Sequence, residues 1–418
     1  YLKQCNINFE DPLKKVALQK LFVNSQVMLI YGAAGTGKTT LINYISNMMN
    51  QSKKLFLTKT HTALQNLERR IENPGLDSDF ISIDSFTKTI TLTDYDIVFV
   101  DECSTIDNRT MKRLLEKIDE STLLVLAGDI YQIESIDFGN WFYYAKDIIK
   151  TDGANVELLN TWRTDKKELK GLWDEVRKIQ PIITEKLAID GPFSADIGEE
   201  IFVSQDEDEI VLCLNYDGKF GLNNMNLYFQ NANTKSEVYT WAEWTFKVGD
   251  PVIFLDTKRS SLLYNNLKGR IVDISKRNSA ILFTLDIDTI LTERQCRNES
   301  FEFVDVTDRG TRIRLEVIAS DDESAPEEER FKTIIPFQIA YAVSIHKAQG
   351  LEYNSVKIII PSYNAEKISH SIFYTAITRA KEKLKIFWSA ETMKAIVESF
   401  DKEKIGQRTL EFIEKKLE

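Results

Sequence analysis

The segment Gly32-Ala33-Ala34-Gly35-Thr36-Gly37-Lys38-Thr39 limits this chain more than any other. It satisfies the pattern GxxxxGK[ST] in full. The apolar run Val27–Tyr31 before it reads as a short buried strand, and Leu41, Ile42, Tyr44, Ile45 and Met48 after it recur at helical spacing. Strand, glycine loop and helix form the context in which this pattern carries a mechanism. Backbone N–H groups of the loop and of the helix start surround the β- and γ-phosphates of a nucleotide. Lys38 adds a point charge, and the Thr39 hydroxyl is a ligand for Mg²⁺. Gly32, Gly35, Thr36, Gly37, Lys38, Thr39 and Thr40 are therefore the expected nucleotide-binding residues, and the expected fold is α/β with a parallel sheet.

A phosphate loop needs a carboxylate opposite it. Asp96-Ile97-Val98-Phe99-Val100 is an apolar run that ends in Asp101-Glu102-Cys103-Ser104. A carboxylate at the carboxyl tip of a buried parallel strand faces the nucleotide crevice. Asp101 is expected to hold Mg²⁺ through water and Glu102 to orient and deprotonate the attacking water. The next apolar run, Thr122–Leu126, leads to Ala127-Gly128-Asp129-Ile130-Tyr131-Gln132, where Gln132 can sense the γ-phosphate.

Composition removes several other classes. Lys plus Arg is 53 and Asp plus Glu is 64, a net charge of −11, which argues against a basic coat for wrapping duplex DNA. A local basic groove for one strand stays open. Cys5, Cys103, Cys213 and Cys296 lie far apart with no CxxC pair, so a reducing cytoplasm is expected rather than a disulfide framework or a zinc knuckle. Three histidines (His61, His346, His370) are too few for a multi-histidine metal site. No run of about 18 apolar residues suggests a membrane span. Tyr1 in place of Met points to a piece of something longer, and with it to a protein partner or additional domain.

Gly32–Thr39, Asp101–Ser104 and Gly128–Gln132 together resemble motifs I, II and III of superfamily 1 helicases. Leu159-Asn160-Thr161-Trp162-Arg163-Thr164 is similar to motif IV, Tyr341–Glu352 to motif V and Phe373–Lys381 to the UvrD-like motif VI. Gly218–Asn226, Val248–Phe254 and Asn265–Ile271 resemble features of the RecD-like and Dda-like branch, including the start of a small inserted SH3-like barrel. The resemblance implies two RecA-like parallel-sheet motor domains: 1–150 as the first, 151–246 with 336–418 as the second, and a small β-barrel, 247–335, inserted in the second. It also implies ATP and Mg²⁺ at a cleft between the motor domains, and ATP-dependent movement along single-stranded DNA (RNA left open), 5′ to 3′.

The resemblance also assigns roles. Arg163 and Arg379 reach the γ-phosphate from the second motor domain, as planar, permanently charged guanidinium groups can. Trp162 stacks the adenine, with a core position as the alternative. Gly350 and Glu352 border the nucleotide, Glu352 accepting from a ribose hydroxyl or orienting the cleft. Thr60 and His61, within Thr58-Lys59-Thr60-His61-Thr62, grip phosphates, as do Ser344 and His346. Phe86 stacks on a base or else packs in the core. Two departures stand out. Where the family carries an adenine-reading glutamine this chain has Asp11-Pro12-Leu13-Lys14-Lys15, with Gln19 closer to the loop than expected, which bears on adenine specificity. Between Ser82–Phe86 and the Asp96 strand only residues 87–95 are available for a strand-splitting pin. A second reading therefore stands beside the motor: an ATP-switched scaffold that binds nucleic acid or a partner without productive unwinding. The acidic run Asp321–Glu329 reads as a solvated loop.

Overall fold

The computed structural model describes residues 12–400, apart from 20, 24, 76, 89–93, 134–138, 150–153, 190, 205, 235, 256–258, 261, 278 and 320–332. The acidic run, Cys5 and most of the short pin segment lie outside the described residues. The chain divides into two compact units: residues 1–194 with 363–382 and 390–418, and residues 195–362 with 383–389.

The first unit is built on a sheet of β1 (Val27–Gly32), β2 (Lys54–Thr58), β3 (Ser78–Ser82), β4 (Ile97–Val100), β5 (Leu123–Gly128) and β6 (Asn155–Leu158), in the order β3-β2-β4-β5-β1-β6. All the pairings are parallel. Both faces are covered, so the strands read as continuous apolar runs while successive side chains still alternate in direction. Met28, Ile30, Phe56, Phe99 and Val125 enter one core. Leu29, Leu55, Leu57, Val98, Val100 and Leu124 enter the other. On the first face Phe56 stacks on Phe80 at 4.5 Å and on Phe99 at 4.8 Å, one aromatic row across three neighbouring strands. β1 lies between β5 and β6, so the tips of β4, β5, β1 and β6 follow one another along the carboxyl edge, where α/β sheets bind ligands.

β6 differs from the sequence expectation. Residues 155–158 read as opening the second motor domain, whereas here they form the outer strand of the first sheet, with Leu29↔Asn155 through Gly32↔Leu158 in register.

The second unit holds a parallel-type sheet and an antiparallel one. The former combines β7 (Ser194–Ala195), β8 (Glu209–Cys213), β17 (Ala342–Ser344), β18 (Tyr353–Ile359) and β19 (Ala380–Phe387) in the order β17-β8-β18-β19-β7, and β8 pairs in parallel with β17 and β18. The latter combines β11 (Pro251–Phe254), β12 (Lys268–Arg277), β13 (Ala280–Ile287), β14 (Glu302–Thr307), β15 (Gly310–Ile318) and β16 (Phe337–Ile339) in the order β14-β15-β13-β12-β11-β16. A hairpin of β9 (Tyr239–Trp241) and β10 (Trp244–Phe246) precedes it. The β-rich insert is thus where the sequence put it. Its core is an aromatic cluster: Phe246, Phe254 and Phe283 all meet Phe337 or one another edge-on at 5.0–5.9 Å. Among the described residues its edge strands, β14 and β16, are not paired with each other, so the expected closure into an SH3-like barrel is not part of this sheet order.

Candidate active site

Residues 33–37 leave β1 and enter the helix Lys38–Met48. Gly35 (φ +73°) and Gly37 (φ +83°) both occupy the left-handed region, which a side chain makes costly. Gly37 caps the helix, and its carbonyl accepts the first helical bond from the Leu41 N–H at 3.0 Å. Thr36 is fully buried and its hydroxyl donates to the Ala33 carbonyl at 2.9 Å, pinning the loop to itself. The Lys38 ammonium donates to the carbonyls of Gly32 (2.9 Å) and Ala33 (3.0 Å), so its charge sits within the loop. Thr40, in the first turn of the helix, is exposed.

The segment after β6 lies against this loop. The Trp162 N–H donates to the Gly35 carbonyl at 2.7 Å, and the Thr161 hydroxyl to the Ala34 carbonyl at 2.8 Å. A Cβ on Gly35 would overlap that of Arg163. β6 therefore has a purpose in the first sheet, because it delivers Arg163 to the phosphate loop.

Asp101 follows β4 at the same edge and is 7% exposed. Its Oδ2 accepts from the Thr39 hydroxyl at 3.0 Å and its Oδ1 from the Glu102 N–H at 2.9 Å. Burial, then the neighbouring Glu102, pushes its pKa up to about 6, against the pull of those hydrogen bonds and of Lys38. Glu102 itself has a left-handed backbone (φ +57°), held by the Thr105 N–H (3.0 Å) and hydroxyl (2.7 Å) on its carbonyl. Past β5, Asp129 is 1% exposed and burial raises its pKa. It accepts from Gln132 Nε2 at 3.1 Å and from the Tyr131 N–H at 3.1 Å. Gln132 is thus held in place by an aspartate that the sequence motif did not single out.

Both arginines meet at one turn. Arg163 Nη1 donates to the Thr378 carbonyl at 2.7 Å. Arg379 is 1% exposed, and its Nε donates to the Thr375 carbonyl at 2.9 Å and its Nη2 to the Thr378 hydroxyl at 3.3 Å. The helix His370–Ile377 that carries this turn is fastened within the first unit: the Ile133 N–H donates to the Thr375 hydroxyl at 2.9 Å and Trp173 Nε1 to the Ile377 carbonyl at 3.1 Å. The sequence reading placed Arg163 and Arg379 in a second motor domain; by compactness both fall in the unit that holds the phosphate loop. Tyr374, fully buried on the same helix, faces Asp129, and burial with that carboxylate pushes its phenol pKa well up.

Other expected residues divide between the units. Trp162 is 50% exposed and borders a cavity of ≈ 580 Å³ with Ala33, Asp165, Trp173 and Arg177, so it is not a core residue. Thr60 caps the helix His61–Arg70 by accepting from the Ala63 N–H at 3.2 Å, and His61 is exposed beside it. Phe86 is 2% exposed in the core beneath β2 and β4, so it cannot stack on a base; its packing role prevails. Ser344, His346, Gly350 and Glu352 belong to the second unit and are not part of the constellation at the loop. Ser344 is 7% exposed and accepts from the Lys347 N–H at 3.2 Å, His346 is exposed, and Gly350 has φ +79°. The second unit has its own cavity of ≈ 620 Å³, but its charges are already matched, Lys268 with Asp208 and Arg309 with Glu207. It offers no chemistry comparable to that of the loop.

A magnesium triphosphate fits the residues present. A buried carboxylate with a raised pKa stands 3.0 Å from the threonine hydroxyl of the loop, a donor pair suited to a hard cation. The glycine turn and the helix start offer N–H groups to an anion.

The profile of the family described as AAA domain matches residues 14–189, and that described as UvrD-like helicase C-terminal domain matches 339–386. The RecBCD enzyme subunit RecD of Buchnera aphidicola subsp. Acyrthosiphon pisum is 22% identical over 453 residues, spanning 92% of this chain and 74% of its own. The chain is a superfamily 1 helicase of the RecD-like branch. This RecD-like helicase is also 23% identical to RecD of Mycolicibacterium smegmatis, over 73% of the chain and 52% of that relative. Among solved structures, Bacteroides Pif1 bound to ssDNA superposes with a TM-score of 0.55 at 14% identity, over 93% of this chain and 94% of that one. Pif1 helicase from Candida albicans gives 0.54 at 14%, over 94% and 99%. At such identities the likeness is one of fold, two RecA-like domains. Among the described residues no helix is long and apolar enough to cross a membrane.

Proposed function

We propose that this RecD-like helicase, an ATP-hydrolysing DNA helicase by family, moves 5′ to 3′ on single-stranded DNA, powered by hydrolysis at the phosphate loop. The observation that carries this reading is the meeting of Lys38, the Thr39–Asp101 pair, Arg163 and Arg379 in one compact unit.

Loop amides and Lys38 bind the triphosphate. Thr39 and Asp101 would hold Mg²⁺, which when bound neutralises charge on the phosphate oxygens. Glu102 takes a proton from the attacking water while Gln132, steadied by Asp129, orients it. The guanidinium groups of Arg163 and Arg379 stabilise charge on the transferring phosphoryl group, and both are anchored to the 375–378 turn. Trp162 offers a face to the base. The exposed first turn of His61–Arg70 and the exposed His346 contact the strand, and Gly350 and Glu352 serve the nucleotide from the second unit. The Bacteroides relative was solved with ssDNA bound, which supports a single strand as substrate. A cytoplasmic location fits the same activity.

The test is ATPase activity with and without single-stranded DNA, together with unwinding of duplexes carrying a 5′ or a 3′ tail. Wild type should hydrolyse ATP faster with DNA and open the 5′-tailed duplex, and Lys38→Ala should abolish both. Undiminished hydrolysis in Lys38→Ala defeats the assignment. The second reading, a nucleotide-switched scaffold, is favoured by the short interval between the helix Ile83–Lys88 and β4. DNA-stimulated hydrolysis with no strand separation from either tail selects it.

A further inference from the structure

The helix Pro12–Gln19 presents one buried face: Lys14, Ala17 and Leu18 are 8%, 2% and 4% exposed, whereas Lys15, Val16 and Gln19 are exposed. Positions i, i+3 and i+4 share a side of a helix. Ala17 and Leu18 enter the same core as Ile30 and Leu41, on either side of the phosphate loop. One turn earlier that anchorage carries a lysine, not an apolar residue, to the loop itself. A Cβ built on Gly37 would stand 2.5 Å from Lys14 Nζ and 3.1 Å from its Cε, so the missing side chain at Gly37 is what admits the ammonium. The same Nζ lies 5.9 Å from the centre of the Trp162 ring, whose backbone is bonded to Gly35. The Lys14 charge is therefore bracketed by the phosphate loop on one side and the exposed indole on the other.

We infer that Lys14 is a second phosphate-binding cation of the nucleotide site, acting beside Lys38 and giving the site affinity for the phosphate chain without choice of base. This rests on the reading of the loop as the nucleotide site. Burying an ammonium is costly unless something negative meets it, and a nucleotide's phosphate chain supplies that charge. Base selection needs a different group. Adenine is distinguished by a donor and an acceptor side by side, which a side-chain amide matches and an ammonium, with three donors and no acceptor, does not.

The experiment uses the full chain with Lys14→Met, which keeps most of the buried stem and removes the charge, and Lys14→Arg, which keeps the charge. Calorimetric titration with ADP and with inorganic pyrophosphate reads binding directly. Steady-state hydrolysis of ATP, GTP, CTP and UTP gives KM and kcat. Lys14→Met should bind both pyrophosphate and ADP about 10- to 100-fold more weakly, the range of one charge-assisted hydrogen bond. It should raise KM for all four triphosphates by a common factor with kcat held, and Lys14→Arg should recover most of the loss. Unchanged pyrophosphate affinity in Lys14→Met overturns the inference. So does a KM increase confined to ATP, which would make Lys14 a base reader, or a loss of kcat with lowered thermal stability and unchanged KM, which would make it structural. Wild-type protein that melts cooperatively but binds neither ADP nor pyrophosphate overturns the nucleotide-site reading itself, and the inference with it.

Discussion

Asp101→Asn should make the nucleotide-free protein more stable while removing its activity. In wild type the carboxyl is buried and its pKa stands at about 6, against an ordinary 3.8. A rise of that size corresponds to roughly 3 kcal/mol of penalty on the ionised form, at about 1.4 kcal/mol per unit. Because the folded pKa lies above the unfolded one, the folded state binds the proton more tightly. The neutral acid's contribution is intact below about pH 4, and it is lost progressively as the pH rises to about 6. At pH 7.5 the wild type therefore carries the whole penalty and an asparagine none of it. Both hydrogen bonds survive the change: asparagine Oδ1 can accept from the Glu102 N–H, and Nδ2 can donate to Thr39 Oγ1. For a domain of 150–250 residues, with each kcal/mol worth about 2–4 °C, the expected gain in Tm is roughly 6–12 °C. The assay is thermal unfolding of both proteins in EDTA without nucleotide, at pH 7.5 and at pH 4. The gain should be present at the first pH and gone at the second, and saturating Mg²⁺ and ADP should narrow it at pH 7.5 by stabilising wild type alone. A variant no more stable than wild type at pH 7.5, or equally advantaged at pH 4, would falsify the account of Asp101 as a strained carboxylate awaiting a cation.

Two further substitutions separate packing from chemistry. Gly35→Ala places a Cβ in a left-handed backbone and against Arg163, so ATPase should fall at least tenfold for a stability loss of roughly 1–2 kcal/mol, measured by urea unfolding; a full-rate enzyme refutes the close approach. Phe86→Leu should cost under about 1.5 kcal/mol of stability and leave single-stranded DNA affinity unchanged, because the ring is core. A tenfold loss of affinity would restore the base-stacking role.

The site was more legible in the sequence than the arrangement of the chain around it. The phosphate loop, Asp101 and Glu102 occupy strand tips because apolar runs of four to six residues, buried on both faces, have few other places to go. Thr39 and Asp101 then meet because β1 and β4 are each neighbours of β5. β6 was harder to place. Asn155-Val156-Glu157-Leu158 is an outer strand with only Leu158 fully buried, and nothing in so short a run says which sheet it joins. Phe86 stayed ambiguous because an aromatic near a nucleic-acid motif has the same letter whether it packs or stacks. Lys14 was hidden for a different reason. Helical periodicity put it on the inward face, but only the absent side chain of Gly37 shows why a charge is tolerated there. Asp129 is a one-residue signal in a loop, and its service to Gln132 is visible only as a hydrogen bond.

The Thr375 hydroxyl and the Ile133 amide are bonded across 242 positions of chain. Between them the polypeptide leaves the first unit, builds both sheets of the second and returns. A ribosome making this protein would thus release the lysine loop early and the anchoring turn for both guanidinium groups only near the end. Until residue 379 emerges, a nascent chain can capture a triphosphate but lacks the groups that help to split it. Synthesis itself keeps the engine idle until its track-gripping parts exist.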